Sequence, residues 1–182
     1  MRIISGIYKG RRITAPKKLP IRPTTDMAKE SLFNILNNHY YLEDISVLDL
    51  FSGSGNISYE FASRGTQQIT SVDTNYGCIK FINETAQSFK MNIQTIKSDV
   101  FTFLEKTKLQ ATVIFADPPY DFPVSEFSKI PELVFKNNIL QEEGLLIVEH
   151  SKHTSLAHLQ NYAYSKSYGG NVFSFFEHQQ TS

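Results

Sequence analysis

The residues best placed to do chemistry in this chain are Asp117-Pro118-Pro119-Tyr120, which follow the apolar run Val113-Ile114-Phe115-Ala116. Two consecutive prolines withdraw two backbone donors, and the first also restricts Asp117 before it. The Asp117 carboxylate, the Pro118 carbonyl and the Tyr120 ring are therefore presented rigidly at the end of a buried strand. Two acceptors beside a stacking aromatic suit a planar exocyclic amine, whose N–H bonds they receive while the ring holds the base. An Asp-Pro pair alone is an ordinary turn. The full run after a buried strand, with another acidic residue closing a strand upstream, points to a site.

Three further segments sit at predicted strand ends. Asp49-Leu50-Phe51-Ser52-Gly53-Ser54-Gly55 carries glycines that allow a tight strand-to-helix turn and close backbone approach to a ligand. Asp73 closes the run Thr70-Ser71-Val72. Its carboxylate suits a ribose diol, which donates two hydroxyl protons, and equally suits the N-cap of the next helix. At Ser98-Asp99-Val100, a carboxylate and backbone N–H groups could meet an adenine edge.

These segments need elements to position them. Residues 2–5 and 11–14 read as two short strands around a glycine turn, and 16–25 as a loop. Asp26 is placed to cap a helix to His39 with an apolar stripe of Met27, Leu32, Phe33, Ile35 and Leu36. Strands are predicted at 46–51, 69–73, 93–98, 112–117 and 145–150, alternating with helices to Arg64 and at 76–90, 100–107 and within 123–138. That alternation implies βαβ units and a mainly parallel sheet covered on both faces. Residues 162–168 and 172–178 flank Gly169-Gly170-Asn171 as an antiparallel hairpin, and 179–182 form a tail. In open parallel sheets, ligands bind beyond the carboxyl ends of the strands, where all four segments fall.

At 182 residues with 41% hydrophobic and 20% charged residues, the chain suits one globular domain. No apolar run is long enough for a membrane span or a secretory leader, so a cytoplasmic setting is expected. The single cysteine, Cys78, excludes an internal disulfide and a cysteine zinc cluster, and it reads as a packing residue. The five histidines show no zinc-type spacing, so no metal is expected. Net charge is zero, yet residues 1–30 carry eight basic side chains against two acidic ones, leaving the remainder at −6. Residues 1–25 form a basic arm in which Arg2, Lys9, Arg11, Arg12 and Arg22 are candidates for phosphate contacts, and 26–182 form the body.

Asp49-Leu50-Phe51-Ser52-Gly53-Ser54-Gly55 and Asp117-Pro118-Pro119-Tyr120 together resemble the S-adenosylmethionine-dependent methyltransferases that modify exocyclic amines. The blocks Arg2-Ile3-Ile4-Ser5-Gly6, Lys9-Gly10-Arg11-Arg12-Ile13, Arg22-Pro23-Thr24, Glu30 to Leu36 and Ser63-Arg64-Gly65 are similar to the RsmD family, and the likeness runs to about residue 178. The resemblance implies a Rossmann-like class I methyltransferase, with a seven-stranded sheet, a C-terminal antiparallel hairpin and an N-terminal β-hairpin extension. It implies methylation of a guanine N2 amine in bacterial 16S ribosomal RNA, within an assembled small subunit or a late precursor. A monomer is expected because no extra apolar helix stripe stands out in the sequence. Carried over, Asp117, Pro118 and Tyr120 handle the base. Asp49, Phe51, Gly53, Ser54 and Gly55 hold the methionine end of S-adenosylmethionine, Asp73 the ribose, and Asp99 and Val100 the adenine. Ser52 stands where the family more often has Ala, Asp73 where Glu is commoner, and Asn56-Ile57-Ser58 is unusually polar. The alternatives are a DNA adenine-N6 methyltransferase and an idle RNA-binding module of the same fold. A glutamine-N5 protein methyltransferase would carry Asn at position 117, and a dinucleotide oxidoreductase a third glycine at position 58.

Overall fold

A computed structural model describes residues 1–22 and 24–181; Pro23, of the Arg22-Pro23-Thr24 block, and Ser182, of the expected tail, lie outside the described residues. Near-continuous runs of buried residues mark β1 (Ser46–Leu50), β4 (Ala111–Ala116) and the second half of β5 (Leu140–Ser151) as strands covered on both faces. With β2 (Gln68–Asp73), β3 (Ile93–Lys97), β6 (Tyr162–Tyr168) and β7 (Asn171–Phe176) they form a seven-stranded sheet in the order β3-β2-β1-β4-β5-β7-β6. The first five strands are parallel, and β7 and β6 are antiparallel. The class predicted from the alternation is the observed one.

One face packs against α1 (Asp26–His39), α2 (Asn56–Ser63) and α3 (Tyr76–Phe89) through Leu32, Phe33, Phe61 and Ile82 with Val47, Phe115 and Ile147. The other packs against α4 (Val100–Lys106) and α5 (Val124–Lys136) through Leu104, Phe127 and Ile130 with Leu48, Ile114 and Leu146. Strand order reverses between β1 and β4, so their carboxyl ends splay around a crevice. The register sets Leu50 beside both Val72 and Ala116, and Ala116 beside Val148. Phe51, Asp73, Asp117 and Glu149, each one residue further on, therefore emerge level with one another.

Several predicted boundaries shift for identifiable reasons. α1 is capped by Thr25, whose side chain accepts from the Ala28 N–H, while Asp26 sits in the first turn and pairs with Arg2. β5 starts five residues before the predicted 145, because a register shift lets the polar stretch 141–143 cross between the Leu140–Ala111 and Leu145–Val113 pairs. The N-terminal strands reduce to one bridge, Arg2 with Arg12. The Ile4 and Ser5 amides turn instead to the Glu60 carboxylate on α2, at 3.0 Å each. The Ile7 amide goes to the Ser63 carbonyl and the Tyr8 amide to the Ser63 hydroxyl. Ile3 and Ile13 enter the core beside α1 and α2, so the arm is packed onto the body.

Two glycines shape that arm differently. Gly6 and Gly10 both have positive φ, but a Cβ on Gly6 would fall 1.9 Å from the Ser63 carbonyl oxygen, whereas a Cβ on Gly10 would meet nothing. Gly10→Ala should cost about 1 kcal/mol of backbone strain, whereas Gly6→Ala should cost roughly 3 kcal/mol or more, or release the arm. Thermal melting with hydrogen exchange at the Ile7 and Tyr8 amides checks this; equal effects of the two substitutions would contradict it.

Candidate active site

The crevice between β1 and β4 opens into a cavity of about 590 Å³ lined by Asp49, Phe51, Gly53, Ser54, Asp73, Asp117, Pro118 and Tyr120, among others. The structure thus brings together most of the residues singled out in the sequence. Leu19, Pro20, Ile21, Arg22 and Thr24 form another wall. The sequence marked that segment as a loop with Arg22 as a candidate for phosphate contacts, and its Pro-rich composition gave no sign that it would wall the cavity.

Residues 51–55 take the tight turn their glycines suggest. Gly55 N-caps α2 at φ 86, and a Cβ there would lie 2.8 Å from the Tyr59 hydroxyl, so both conformation and space require glycine. Phe51 also has positive φ, at 55. Asp73 does not cap α3, which Asn75 does by accepting from the Cys78 N–H. Asp73 instead receives the Gly53 N–H on Oδ2 at 2.9 Å and the Asn75 N–H on Oδ1 at 2.8 Å. Its carboxylate thereby fixes the glycine turn and faces the cavity, with lone pairs left for hydroxyl donors. Asp99 and Val100 are not part of the lining. The Asp99 side chain caps α4 by accepting from the Thr102 N–H, and the Val100 side chain is buried among α4 and sheet residues.

Beneath the turn, Asp49 is buried, and burial pushes its carboxyl up to about 7 despite the bond from the Ser58 hydroxyl at 2.6 Å. Ser58 shares a further hydrogen bond with Ser71. Asn56 accepts from Lys29 Nζ at 2.9 Å, and Lys29 is itself buried against Glu60 at 3.3 Å. Burial drives the Lys29 pKa down against the pull of Glu60. The polar character of Asn56 and Ser58 therefore serves two buried charged groups. Lys29 and Glu60 were missed in the sequence because an exposed-looking Lys and Glu in two helices carry no local signal of pairing.

At the other end, Asp117 is half-buried beside the fully buried Glu149, and desolvation together with that neighbour holds its carboxyl well above the usual range, with Arg22 opposing. The Glu149 carboxyl is raised by burial as well. Glu149 accepts from the Thr24 hydroxyl at 3.2 Å and from Asn171 Nδ2 at 2.9 Å. Asn171 Oδ1 in turn accepts the Tyr120 hydroxyl at 2.7 Å, so the first residue of β7 anchors the aromatic ring. Burial pushes the Tyr120 hydroxyl up to about 12, which keeps it a donor. Glu149 and Asn171 were not singled out in the sequence, since only strand register brings them to this end.

The arm cations divide. Arg2, Lys9, Arg11 and Arg12 are exposed. Arg22 departs from that set: its guanidinium donates to Asp117 Oδ1 at 2.7 Å and lies 3.0 Å from the centre of the Tyr120 ring. Cys78 is buried, its thiol pushed up to about 11 by burial, which fits the packing role expected of it. Among the described residues no three His, Cys, Asp or Glu side chains converge as metal ligands, and no helix is long and apolar enough to cross a membrane.

The chain matches the family described as "Conserved hypothetical protein 95" over residues 1–177. It is 29% identical over 180 residues to ribosomal RNA small subunit methyltransferase D of Haemophilus influenzae, covering 96% of this chain and 91% of that one. With the Escherichia coli K12 protein of the same name the identity is 30% over 150 residues, or 82% and 74% of the two chains. The solved structure of yhhF from Escherichia coli matches at a TM-score of 0.85 and 26% identity, covering 98% of this chain and 99% of that one. The Thermus thermophilus 16S rRNA N2 G1207 methyltransferase, solved with AdoMet and guanosine, shares the fold at a TM-score of 0.69 and 17% identity, over 88% of this chain and 45% of that one. In sequence over nearly its whole length, and in fold, this chain belongs to the Conserved hypothetical protein 95 family, that of the RsmD methyltransferases.

Proposed function

We propose that the chain transfers a methyl group from S-adenosylmethionine to the exocyclic N2 amine of a guanine in small-subunit ribosomal RNA. The observation that carries this reading is the convergence of the Asp117 carboxylate and the Tyr120 ring on one flat, N–H-bearing group, here the Arg22 guanidinium. A site that grips a guanidinium by one carboxylate and one aromatic face suits guanine, whose N1–H and N2–H donors lie side by side. Adenine sets an acceptor next to its amine, which two neighbouring carboxyl groups disfavour. The relatives' names support ribosomal RNA as the substrate class.

The residues present fit the cofactor. Asp73, held by two backbone amides, faces the cavity as an acceptor for ribose hydroxyls, and Asp49 lies below residues 53–55 for the cationic amino end. Asp99 and Val100 would meet the adenine only through the backbone at the start of α4. Bound there, S-adenosylmethionine supplies an electrophilic methyl group on a sulfonium. The protein's own part is to position the acceptor. Asp117 and the Pro118 carbonyl receive the amine N–H bonds, align the nitrogen and stabilise the positive charge that develops on it. Tyr120 stacks on the base, its ring fixed through Asn171 and Glu149. A loop at a strand end cannot reach into a duplex, so the target base must be unstacked. Arg2, Lys9, Arg11 and Arg12 supply phosphate contacts outside the pocket.

Small ribosomal subunits from a strain lacking this gene, incubated with labelled S-adenosylmethionine, should gain N2-methylguanosine with the native chain. Asp117→Ala should lower turnover by about 10³-fold while cofactor binding persists. Label in adenine or in protein, with the cofactor bound, would refute the substrate. Tyr120→Phe keeps the stacking face and should cost only a few-fold, whereas Tyr120→Ala should cost about 10²-fold, chiefly in KM.

Asp49 makes the cofactor end pH-sensitive. Its carboxyl titrates near 7 in the fold against 3.8 ordinarily, so between those values the folded chain holds a proton that the unfolded chain has lost. This contribution to stability is full below pH 3.8 and is lost as pH rises through about 7. Urea unfolding of the cofactor-free protein should show falling stability across that window, with a shallower slope for Asp49→Asn. S-adenosylmethionine should bind more tightly from pH 6 to 8, as its ammonium favours the ionised carboxylate, and calorimetry should register proton release on binding.

A further inference from the structure

Nothing in the methyl-transfer chemistry uses Arg22, yet its guanidinium holds both groups that the acceptor base requires. Nη2 donates to Asp117 Oδ1 at 2.7 Å, and the guanidinium carbon sits 3.0 Å from the centre of the Tyr120 ring. A guanidinium is planar and carries its N–H donors at the edge of a delocalised N–C–N unit. The N1–C2–N2 edge of guanine is built on the same unit with donors in the same plane. The contacts Arg22 makes are therefore those assigned to the substrate. The two occupants exclude each other, since a ring face covered at 3.0 Å leaves no room for a base.

Arg22 is also able to leave. Its side chain is 41% exposed against 17% for Asp117, so its outward path leads to water. Thr24 stays behind as an anchor, with its hydroxyl on Glu149 and its carbonyl accepting from Asn56 Nδ2. While in place, the Arg22 cation offsets the mutual repulsion of Asp117 and Glu149.

We propose that Arg22 is an internal stand-in for the target base, occupying the acceptor position between turnovers and yielding it when an unstacked guanine enters. This rests on the reading that the Asp117–Tyr120 pocket receives the base. Once displaced, the guanidinium lies at the pocket mouth, where the phosphate of the entering nucleotide compensates it. A free nucleoside has no such phosphate and must compete with the side chain unaided, so its apparent affinity is lowered by the fraction of pockets already filled. Arg22 thereby favours a base delivered on an RNA strand over a loose nucleoside.

The test titrates guanosine and, separately, adenosine into the full chain saturated with S-adenosylhomocysteine, comparing the native protein with Arg22→Ala and Arg22→Lys. Lysine keeps a cation beside Asp117 but cannot cover the Tyr120 ring as a flat group. Guanosine should bind about tenfold more tightly to Arg22→Ala and by a smaller factor to Arg22→Lys, with melting temperature confirming that each is folded. Adding Tyr120→Ala to Arg22→Ala should abolish the gain, and KM for ribosomal subunits should rise in both single variants. Unchanged or weaker binding of both nucleosides in either folded variant overturns the stand-in role. A gain for adenosine in place of guanosine upholds the stand-in but refutes the guanine reading, so the two failures are distinguishable.

Discussion

Two carboxyl groups, Asp117 and Glu149, stand level at the ends of adjacent parallel strands, and keeping them largely out of water there is the constraint around which this end of the sheet is built. Each opposes ionisation of the other in a setting where water screens poorly. The structure meets this with donors from several separate segments: Thr24 and Asn171 on Glu149, and Arg22 on Asp117. Asn171 then passes the arrangement on to the Tyr120 hydroxyl. The same groups that make the carboxyl pair tolerable also orient the Tyr120 ring and the Asp117 carboxyl. One set of contacts thus serves the fold and the positions proposed for the acceptor base.

A second buried charge pair links this end to the N-terminal segment. Lys29 and Glu60 lie between α1 and α2, 3.3 Å apart, each with further hydrogen-bond partners. The Arg2 carbonyl and Asn56 Oδ1 accept from Lys29, while the Ile4 and Ser5 amides and Arg64 donate to Glu60. Removing one member would leave its partner buried without compensation, which is costlier than never having formed the pair. The outcome is a basic arm held against α1 and α2 of the body. Arg2, Lys9, Arg11 and Arg12 remain exposed, while Arg22 turns to Asp117 and Tyr120.

The sequence was most legible where one local rule sufficed. The alternation of strands and helices, the helix at residues 26–39, the glycine turn after β1 and the D-P-P-Y segment all depend on periodicity, capping or proline and glycine stereochemistry, which act over a few residues. Legibility failed where a group's partner lies far along the chain. Asp73 and Asp99 looked alike as acids following strands, yet one fixes the Gly53 turn and faces the cavity while the other caps α4. The N-terminal strands looked like a hairpin and do pair, with the Ile3 amide on the Arg11 carbonyl and the Ile13 amide on the Met1 carbonyl. Nothing local showed that the Ile4 and Ser5 amides beyond that pairing would find a carboxylate on α2. Ser58 and Asn56 looked like departures from a pattern until their buried partners, Asp49 and Lys29, were in view.

The sequence by itself determined the sheet-and-helix order, the family, and the chemical character of the pocket, because these follow from local stereochemistry and from side-chain types that do not change on folding. Only the tertiary structure decided which acids share a cavity, which cation enters it and which neighbours fix the aromatic ring. Strand register brings Asn171 to Glu149 across 22 residues of chain and to Tyr120 across 51, and sets Glu149 level with Asp117. Burial then shifts the ionisation of Asp49, Asp117 and Lys29 away from ordinary values. Both effects depend on distances and on excluded water, quantities that come into being only when the chain is packed.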